Sequence, residues 1–507
     1  MFYAASALPS QYGTLWLMDI RPLDHGAEAP LYRQLFQQIA EQIRSGKLVR
    51  GQRLPATREL AGSLGLNRAT VAAAYSMLES GGLISGQVGR GSFVTARPGG
   101  RRGVDWTAQF GRDEASASPA VNPGAGKPRI SFAVSRPAES LFPLDDFRAA
   151  CAAMLARDDL PEILQLGSPS GFEPLRRHLL DNARREGLAG SDDDLIITNG
   201  CQQSLDLIVR VILRPGDTVL VEDPVYTGLK NLMAGMGARL VGVPVEASGV
   251  DLAQFGRALE QEQPRLAVIT PNFQNPTGAT LPLESRRALL EMTLEAGIPL
   301  IENDPYHELR YRGEPLPALK QLEQSGGAVL LRSFSKVSFP GLRVGWALGP
   351  KPLIDRLRKA KEAADLHTDQ LSQAVLLEFA ESGRLEAHRT RVCEAGAKRL
   401  AAACAACRDF LPRGTRWSEP EGGMNLWVCL PHPLDAADLL SGAQKRGVTF
   451  LPGRYFEVAR RDPGTLRLSF AGLEPSEIRR GLEILGEVIA AEQARMAGNR
   501  EPVPALV

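Results

Sequence analysis

The chain has 507 residues, 44% of them apolar and 23% charged, with a formal net charge of +1. That is the balance of a globular protein long enough for about three domains, and it excludes a disordered, collagen-like or uniformly polybasic chain. The six cysteines are too sparse for a disulfide framework and fit a reducing compartment.

No run approaches the roughly 18–20 apolar residues that span a bilayer, so no membrane partner is expected. The N-terminus lacks the basic flank, apolar run and small-residue cleavage site of a secretory signal, which makes the cytoplasm the expected location. Residues 1–29 show no clear period and read as an irregular arm. From Pro30 the pattern turns helical: Leu31, Leu35, Ile39 and Ile43 recur every four residues until Gly46 and Gly51 break the stripe. A second helix is expected from Pro55-Ala56-Thr57, with Thr57 as its N-cap, and stops at Gly65. Asn67 caps a third helix, whose inner face carries Val71, Tyr75 and Leu78. Two short strands, Leu83-Ile84 and Ser92-Phe93-Val94, flank the turn Gly89-Arg90-Gly91.

Over 30–96 there are eight Lys/Arg against three Asp/Glu, a local charge of +5 that the rest of the chain offsets. Two short helices joined by a glycine turn and followed by a hairpin describe a winged helix-turn-helix. The turn sets Asn67, Arg68 and Thr70 where a recognition helix meets base edges. Arg53 and Arg58 are placed for backbone phosphate, and Arg90 at the wing tip for the minor groove or phosphate. The expected partner is double-stranded operator DNA. The wording Pro30-Leu31-Tyr32-Arg33-Gln34-Leu35, Gly51-Gln52-Arg53-Leu54-Pro55-Ala56-Thr57-Arg58-Glu59-Leu60, Asn67-Arg68-Ala69-Thr70-Val71 and Gly89-Arg90-Gly91-Ser92-Phe93-Val94 resembles the heads of GntR-type regulators.

Residues 97–129, rich in Gly, Pro, Ala and Ser, read as a flexible linker. From about 130 helices alternate with apolar strands, expected at Leu195-Ile196-Ile197, Thr218–Val221, Leu266–Ile269, Pro299-Leu300-Ile301 and Val329-Leu330-Leu331. These suit an α/β unit with a mostly parallel sheet covered on both faces, expected over 130–364. A smaller α+β unit is expected over 365–495, with strands Asn425–Val428 and Leu466–Ser469, and a tail over 496–507. Cys404 and Cys407 have metal-site spacing but lie in an Ala-rich helical run with no second pair, so helix packing is expected and no metal.

Lys336, in Arg332-Ser333-Phe334-Ser335-Lys336, suits a lysine that forms an imine with an aldehyde cofactor. Burial and the cationic Arg343 would lower its pKa, and nearby hydroxyls would hold a phosphate. Gly200-Cys201-Gln202 stands between a strand and a helix, where backbone amides receive phosphate. Tyr226 offers a ring to stack on the cofactor. Asp304 and Tyr306, two apart at a strand end, are expected to point the same way, the carboxylate to a pyridinium nitrogen and the phenol, with Asn275, to the ring oxygen. His307 is read as an ordinary polar residue.

In this order the segments resemble fold-type I pyridoxal-phosphate aminotransferases over 130–495. The resemblance implies pyridoxal 5'-phosphate as cofactor, Lys336 as Schiff-base lysine, Asp304 on the ring nitrogen, and Asn275 and Tyr306 on the ring oxygen. It also implies that Ser333, Ser335, Arg343, Gly200, Cys201 and Gln202 hold the phosphate and Arg467 a substrate carboxylate. Two departures stand out. Leu166 precedes Gly167-Ser168-Pro169-Ser170-Gly171 where the family often has a tyrosine, removing a hydrogen bond worth about 1.5–3 kcal/mol and pointing to weak turnover at most. Asn425 ends Gly422-Gly423-Met424-Asn425, a wall usually less polar.

Head, linker and body together resemble the MocR-type regulators. That implies a cofactor-dependent transcription factor, a head-to-tail homodimer, whose body senses pyridoxal phosphate or an amino compound through an imine at Lys336. Two other readings stay open: a working aminotransferase with an accessory DNA-binding head, and a repressor whose body only dimerises.

Overall fold

The structure, a computed structural model, describes residues 18–24, 26–27, 29–87, 91–95, 129–323, 325–459 and 461–498. They fall into two compact units, one ending before residue 96 and one beginning after 128.

In the first unit, α1 (Leu31–Arg44), α2 (Thr57–Leu64) and α3 (Arg68–Ser80) enclose a core of Leu35, Ile39, Ile43, Leu60, Val71, Tyr75 and Leu78. Strands β1 (Ile84–Gln87) and β2 (Gly91–Val94) pair antiparallel, and Ile84 and Val94 close the core from below. Gly65, at φ 65°, adopts the left-handed geometry that lets α2 turn into α3. The buried Tyr75 hydroxyl donates to the Pro55 carbonyl (2.9 Å), tying α3 to the start of α2.

Two expectations for this unit need correction. Thr57 is the first helical residue of α2 rather than its cap. Ala56 caps, and its N–H is accepted by the Glu59 carboxylate (3.2 Å), because Glu59 sits three residues into the helix and reaches back. The arm is not irregular throughout, since residues 18–24 lie along α1. Gln34, Gln38 and Gln42, one turn apart, each accept a backbone N–H and return a side-chain N–H, to Asp24 (2.9 and 2.8 Å), Arg21 (2.7 and 3.3 Å) and Asp19 (3.1 and 2.9 Å). Met18, Ile20 and Leu23 pack on the core. Residues 1–17, the wing tip with Gly89 and Arg90, nearly all of the expected linker, and 499–507 lie outside the described residues.

The second unit is built on an eight-stranded sheet in the order β4-β11-β10-β9-β8-β5-β6-β7. Its members are β4 (Asp193–Thr198), β5 (Thr218–Asp223), β6 (Arg239–Glu246), β7 (Gly249–Val250), β8 (Leu266–Ile269), β9 (Leu300–Asn303), β10 (Ala328–Ser333) and β11 (Gly345–Pro350). The run from β10 to β6 is parallel, while β4, β11 and β7 add antiparallel edges. All five expected strands are present. β11 was hidden because Gly345, Gly349 and Pro350 break its apolar run. A Cβ on Gly345 would stand 2.6 Å from the Gly200 Cα, so this strand passes against the phosphate-cradle candidate only as glycine.

A second sheet, β12-β13-β16-β15, comprises β12 (Arg416–Trp417), β13 (Asn425–Cys429), β15 (Leu451–Pro452) and β16 (Thr465–Ser469). Helices Arg384–Phe410 and Pro475–Gly498 cover it, and Cys404 and Cys407 are buried in that core as packing residues. The expected boundaries shift. β3 (Ile130–Ser131) pairs with β14 (Val448–Thr449) and Phe132 joins the smaller core, while helix Gln370–Glu381 packs with Leu195 and Ile197 of the large sheet. Among the described residues no helix is long and apolar enough to cross a membrane, and no group of three or more potential ligands could hold a metal ion.

Candidate cofactor cavity and DNA-facing surface

At the C-terminal ends of the parallel strands lies a cavity of about 380 Å³, the usual ligand position in an α/β sheet. It is lined by Lys336, Arg343 and Arg467 together with Gly200, Cys201, Gln202, Tyr226, Asn275, Tyr306, Ser333 and Ser335, and among the described residues no acidic side chain faces it. Strands and loops far apart in sequence thus deliver three cations and no counter-charge to one space.

At one end Gly200, at φ 90°, begins helix Cys201–Ile212 with its N–H groups free for an anion. Arg343 is held in a left-handed conformation (φ 56°), which costs an ordinary residue on the order of 1–3 kcal/mol. That turn aims its guanidinium at the helix start. Nη2 donates to the Asn199 carbonyl (2.8 Å) and Nη1 to the Ser335 hydroxyl (3.1 Å). A Cβ on Gly200 would stand 2.8 Å from Arg343 Nη2. Ser333 turns inward, accepting the Ser335 N–H (3.1 Å) and donating to the Val344 carbonyl (3.1 Å), so it shapes the loop while Ser335 faces the space.

At the centre the Lys336 ammonium donates to the Ser135 carbonyl (2.9 Å) and lies 5.5 Å from the Tyr306 ring centre. Burial, with Arg467 and Arg343 nearby, lowers its pKa to about 8. Tyr226 caps helix Thr227–Gly235, and Gly228 leaves room for its ring. Gln202 donates to the Gly228 carbonyl (3.2 Å), which orients it beside Tyr226. Burial raises the Cys201 thiol to about 12, so it is no nucleophile at neutral pH.

Asn275 links the remaining groups. It donates to the Tyr306 hydroxyl (3.3 Å), and its carbonyl oxygen accepts from Arg467 (3.1 Å). Arg467, carried by β16, also donates to the Ala133 carbonyl and lies over the Phe456 ring (5.0 Å). Burial lowers its pKa to about 10, which leaves it charged at neutral pH. The carbonyls of Ala133 and Ser135 were not foreseen, since a main-chain acceptor leaves no mark in the residue type.

Asp304 is the exception among the expected residues. Side chains alternate along β9: Ile301 packs toward helix Cys201–Ile212, and Asn303 lines the cavity on that side. Leu300 and Glu302 face the other way, Glu302 accepting the N–H groups of Leu319 (2.9 Å) and Lys320 (2.8 Å). Asp304 follows Glu302 to that far side. There it accepts from Asn272 (3.0 Å), lies 3.9 Å from Arg332, and lines a separate cavity with Arg332 and His307. The expectation that Asp304 and Tyr306 share a direction fails because β9 ends at Asn303 and a turn intervenes before Tyr306. His307 is half-buried in the second cavity, its pKa held well below the usual value by desolvation and Arg332.

In the first unit, Arg53, Arg58, Asn67 and Arg68 are exposed and Thr70 is half-buried. Asn67 Oδ1 accepts the Ala69 N–H (2.9 Å), so its carbonyl is committed to capping α3. Arg68 stands in the first turn of α3. Arg53 crosses beside Gly91, where a Cβ would stand 3.0 Å from its Nε.

With these features in place, comparison with known proteins is informative. Residues 138–485 match the family of class I and II aminotransferases, and residues 31–94 the family of bacterial regulatory proteins of gntR type. The chain is 30% identical over 481 residues to the probable rhizopine catabolism regulatory protein MocR of Rhizobium meliloti, covering 92% of this chain and 96% of that one. It is 34% identical over 372 residues to aromatic-amino-acid aminotransferase 1 of Thermococcus litoralis, covering 72% and 89%. The crystal structure of LysN, the α-aminoadipate aminotransferase of Thermus thermophilus complexed with N-(5'-phosphopyridoxyl)-L-leucine, superposes with a TM-score of 0.69 at 34% identity, covering 77% of this chain and all of that one.

The chain belongs to the MocR-type regulators, a GntR-type winged helix joined to an aminotransferase body of the pyridoxal-phosphate fold type I. It is a pyridoxal-phosphate-dependent, DNA-binding transcriptional regulator. The residues present fit that cofactor: an anion cradle at a glycine-started helix with an aimed arginine, a half-buried lysine of lowered pKa, and a cavity with no acid among its described lining residues to repel a phosphate.

Proposed function

We propose that the body senses a small amino compound bearing a carboxylate or similar anion, and that occupancy of its cavity alters how the heads hold operator DNA. The observation that carries this reading is the cavity itself, with two arginines, a lysine of lowered pKa, and no carboxylate among the described residues that line it. Bound pyridoxal phosphate supplies an aldehyde with which amines condense. Arg343, Ser335 and the amides of Gly200, Cys201 and Gln202 hold its phosphate, Tyr226 flanks its ring, and Asn275 and Tyr306 reach the ring oxygen. Lys336 is the amine that holds it until an effector amine takes its place. Arg467 pairs with the effector's anion, giving up the Ala133 carbonyl to do so.

In the head, Arg68 and the free amide of Asn67 meet base edges, while Arg53, Arg58, Thr70 and Arg90 position the backbone. A homodimer is supported by Leu144, Leu155, Leu164 and Leu166, large apolar side chains left 50–72% exposed within one 23-residue stretch. Leu166, which replaces the family's frequent tyrosine, is the most exposed of them, so that subunit contact is apolar here.

The test is to titrate cofactor-loaded full-length protein with a panel of amino acids, amino sulfonates and simple amines. Cofactor absorbance and operator affinity are followed together. A carboxylated or sulfonated amine should shift both, and a spectral change with no effect on operator binding would refute the sensing role. Intact Lys336 and Arg467 also favour a second reading, slow transamination, measured as keto-acid formation from the same panel.

A further inference from the structure

Around the bound ring one position is still unassigned, the group that meets the ring nitrogen. We infer that Asn303, not a carboxylate, is that group, and that this chain therefore keeps the ring nitrogen of its cofactor unprotonated. The inference rests on pyridoxal phosphate occupying the cavity as proposed above.

Strand alternation makes the assignment. β9 delivers Asn303 to the cavity side and Asp304 to the opposite side, where the Asp304 carboxylate already meets Asn272 and Arg332. No other carboxylate of the described residues lines the cavity. Asn303 is 7% exposed, and its Oδ1 is buried without a hydrogen-bond partner among the described residues. A buried amide without partners is unfavourable and free to turn toward a ligand atom. An amide can turn about its last torsion to present either C=O or NH₂.

The chemistry follows from charge. A pyridinium is stabilised by an ionised partner, because an opposite charge within hydrogen-bond reach favours the protonated form. A neutral amide gives no such bias, and Arg467, which shares the cavity, disfavours another positive charge. Asn303 thus donates its N–H to a neutral ring nitrogen. A neutral ring withdraws electrons from the attached amine far less than a pyridinium does. Lys336 would then still give way to another amine, which needs no electron withdrawal by the ring, but would be poorly able to take a proton from the bound amine's carbon, which a neutral ring would hardly acidify. That combination retains an effector instead of consuming it.

The experiment uses full-length protein loaded with cofactor carrying ¹⁵N in the ring, read by NMR between pH 6 and 9. The wild-type resonance is expected in the neutral-pyridine range, unchanged across this interval. Asn303→Asp should move it to the pyridinium range, and should speed single-turnover loss of the cofactor band with an amino donor by at least about tenfold. Asp304→Asn, and as a second control Asp304→Glu, should leave the resonance where the wild type has it. A pyridinium signal in coloured wild-type protein overturns the inference while sparing the site reading, as does an Asn303→Asp variant that takes up cofactor with an unmoved resonance. Wild-type protein that takes up no cofactor overturns the site reading itself.

Discussion

The head and the body recognise their partners by opposite means. The head offers arginines that stand in water, on a scaffold whose core is three short helices and a hairpin. The body buries Arg467 and half-buries Lys336, and this lowers Lys336 to about 8 and Arg467 to about 10 while main-chain carbonyls hold both in place. Exposed charge suits a polyanion met over a broad surface, where each contact contributes modestly. Buried, partnered charge suits one small ligand that must displace what is already bound. The two sites therefore respond differently to mutation.

The largest effect is expected from Lys336→Ala, which should abolish covalent cofactor attachment, seen as loss of its visible band, while leaving the head folded and able to retard operator DNA. Arg467→Ala should weaken a carboxylated effector by about 1.5–3 kcal/mol in spectral titrations with little change in cofactor uptake. Arg68→Ala mirrors it on the other unit, costing about 1–3 kcal/mol in operator binding and relaxing sequence preference at one position, with the cofactor spectrum intact. Gln42→Ala removes two bonds to Asp19 at a buried position and should destabilise the head by about 1–2 kcal/mol in denaturant melts, sparing the body.

The smallest and most diagnostic effect is on pH. Lys336 reacts only as the neutral amine. Because its pKa is lowered from 10.5 to about 8, the rate of cofactor uptake should rise about fivefold from pH 7 to 8, about twofold more by pH 9, and level off above. Stability of the cofactor-free body gains in the same direction. The unfolded chain binds the extra proton between about pH 8 and 10.5, so that increment appears as pH rises through this window. A profile still climbing at pH 10 would place Lys336 in water, like the arginines of the head.

Legibility in the sequence divided along the same line. In the head, each residue's place on a short helix fixed its exposure, so Arg58 and Arg68 could be assigned by counting turns. In the body, the motif around Lys336 marked the cavity, and the apolar runs marked five of the eight strands. The error at Asp304 came from parity. A carboxylate beside a proline looks like a strand-end ligand, but one step along β9 reverses the face, and only the observed end of the strand at Asn303 settles which side it takes. β6 escaped notice because its residues are half-buried, mixing Arg239 and Glu246 with valines. The carbonyls of Ala133 and Ser135 belong to a loop whose path no local pattern encodes.

The three glutamines of α1 carry a last consequence. They grip residues 19, 21 and 24 by the peptide groups alone, which leaves the side chains there to exposed contacts such as that of Asp19 with Lys47 (2.9 Å). Ile20 and Leu23 need only be greasy, and the gripped positions need only possess an amide proton. Proline is the one substitution the grip cannot tolerate at Asp19, Arg21 or Asp24, whereas alanine or serine should leave the grip intact there.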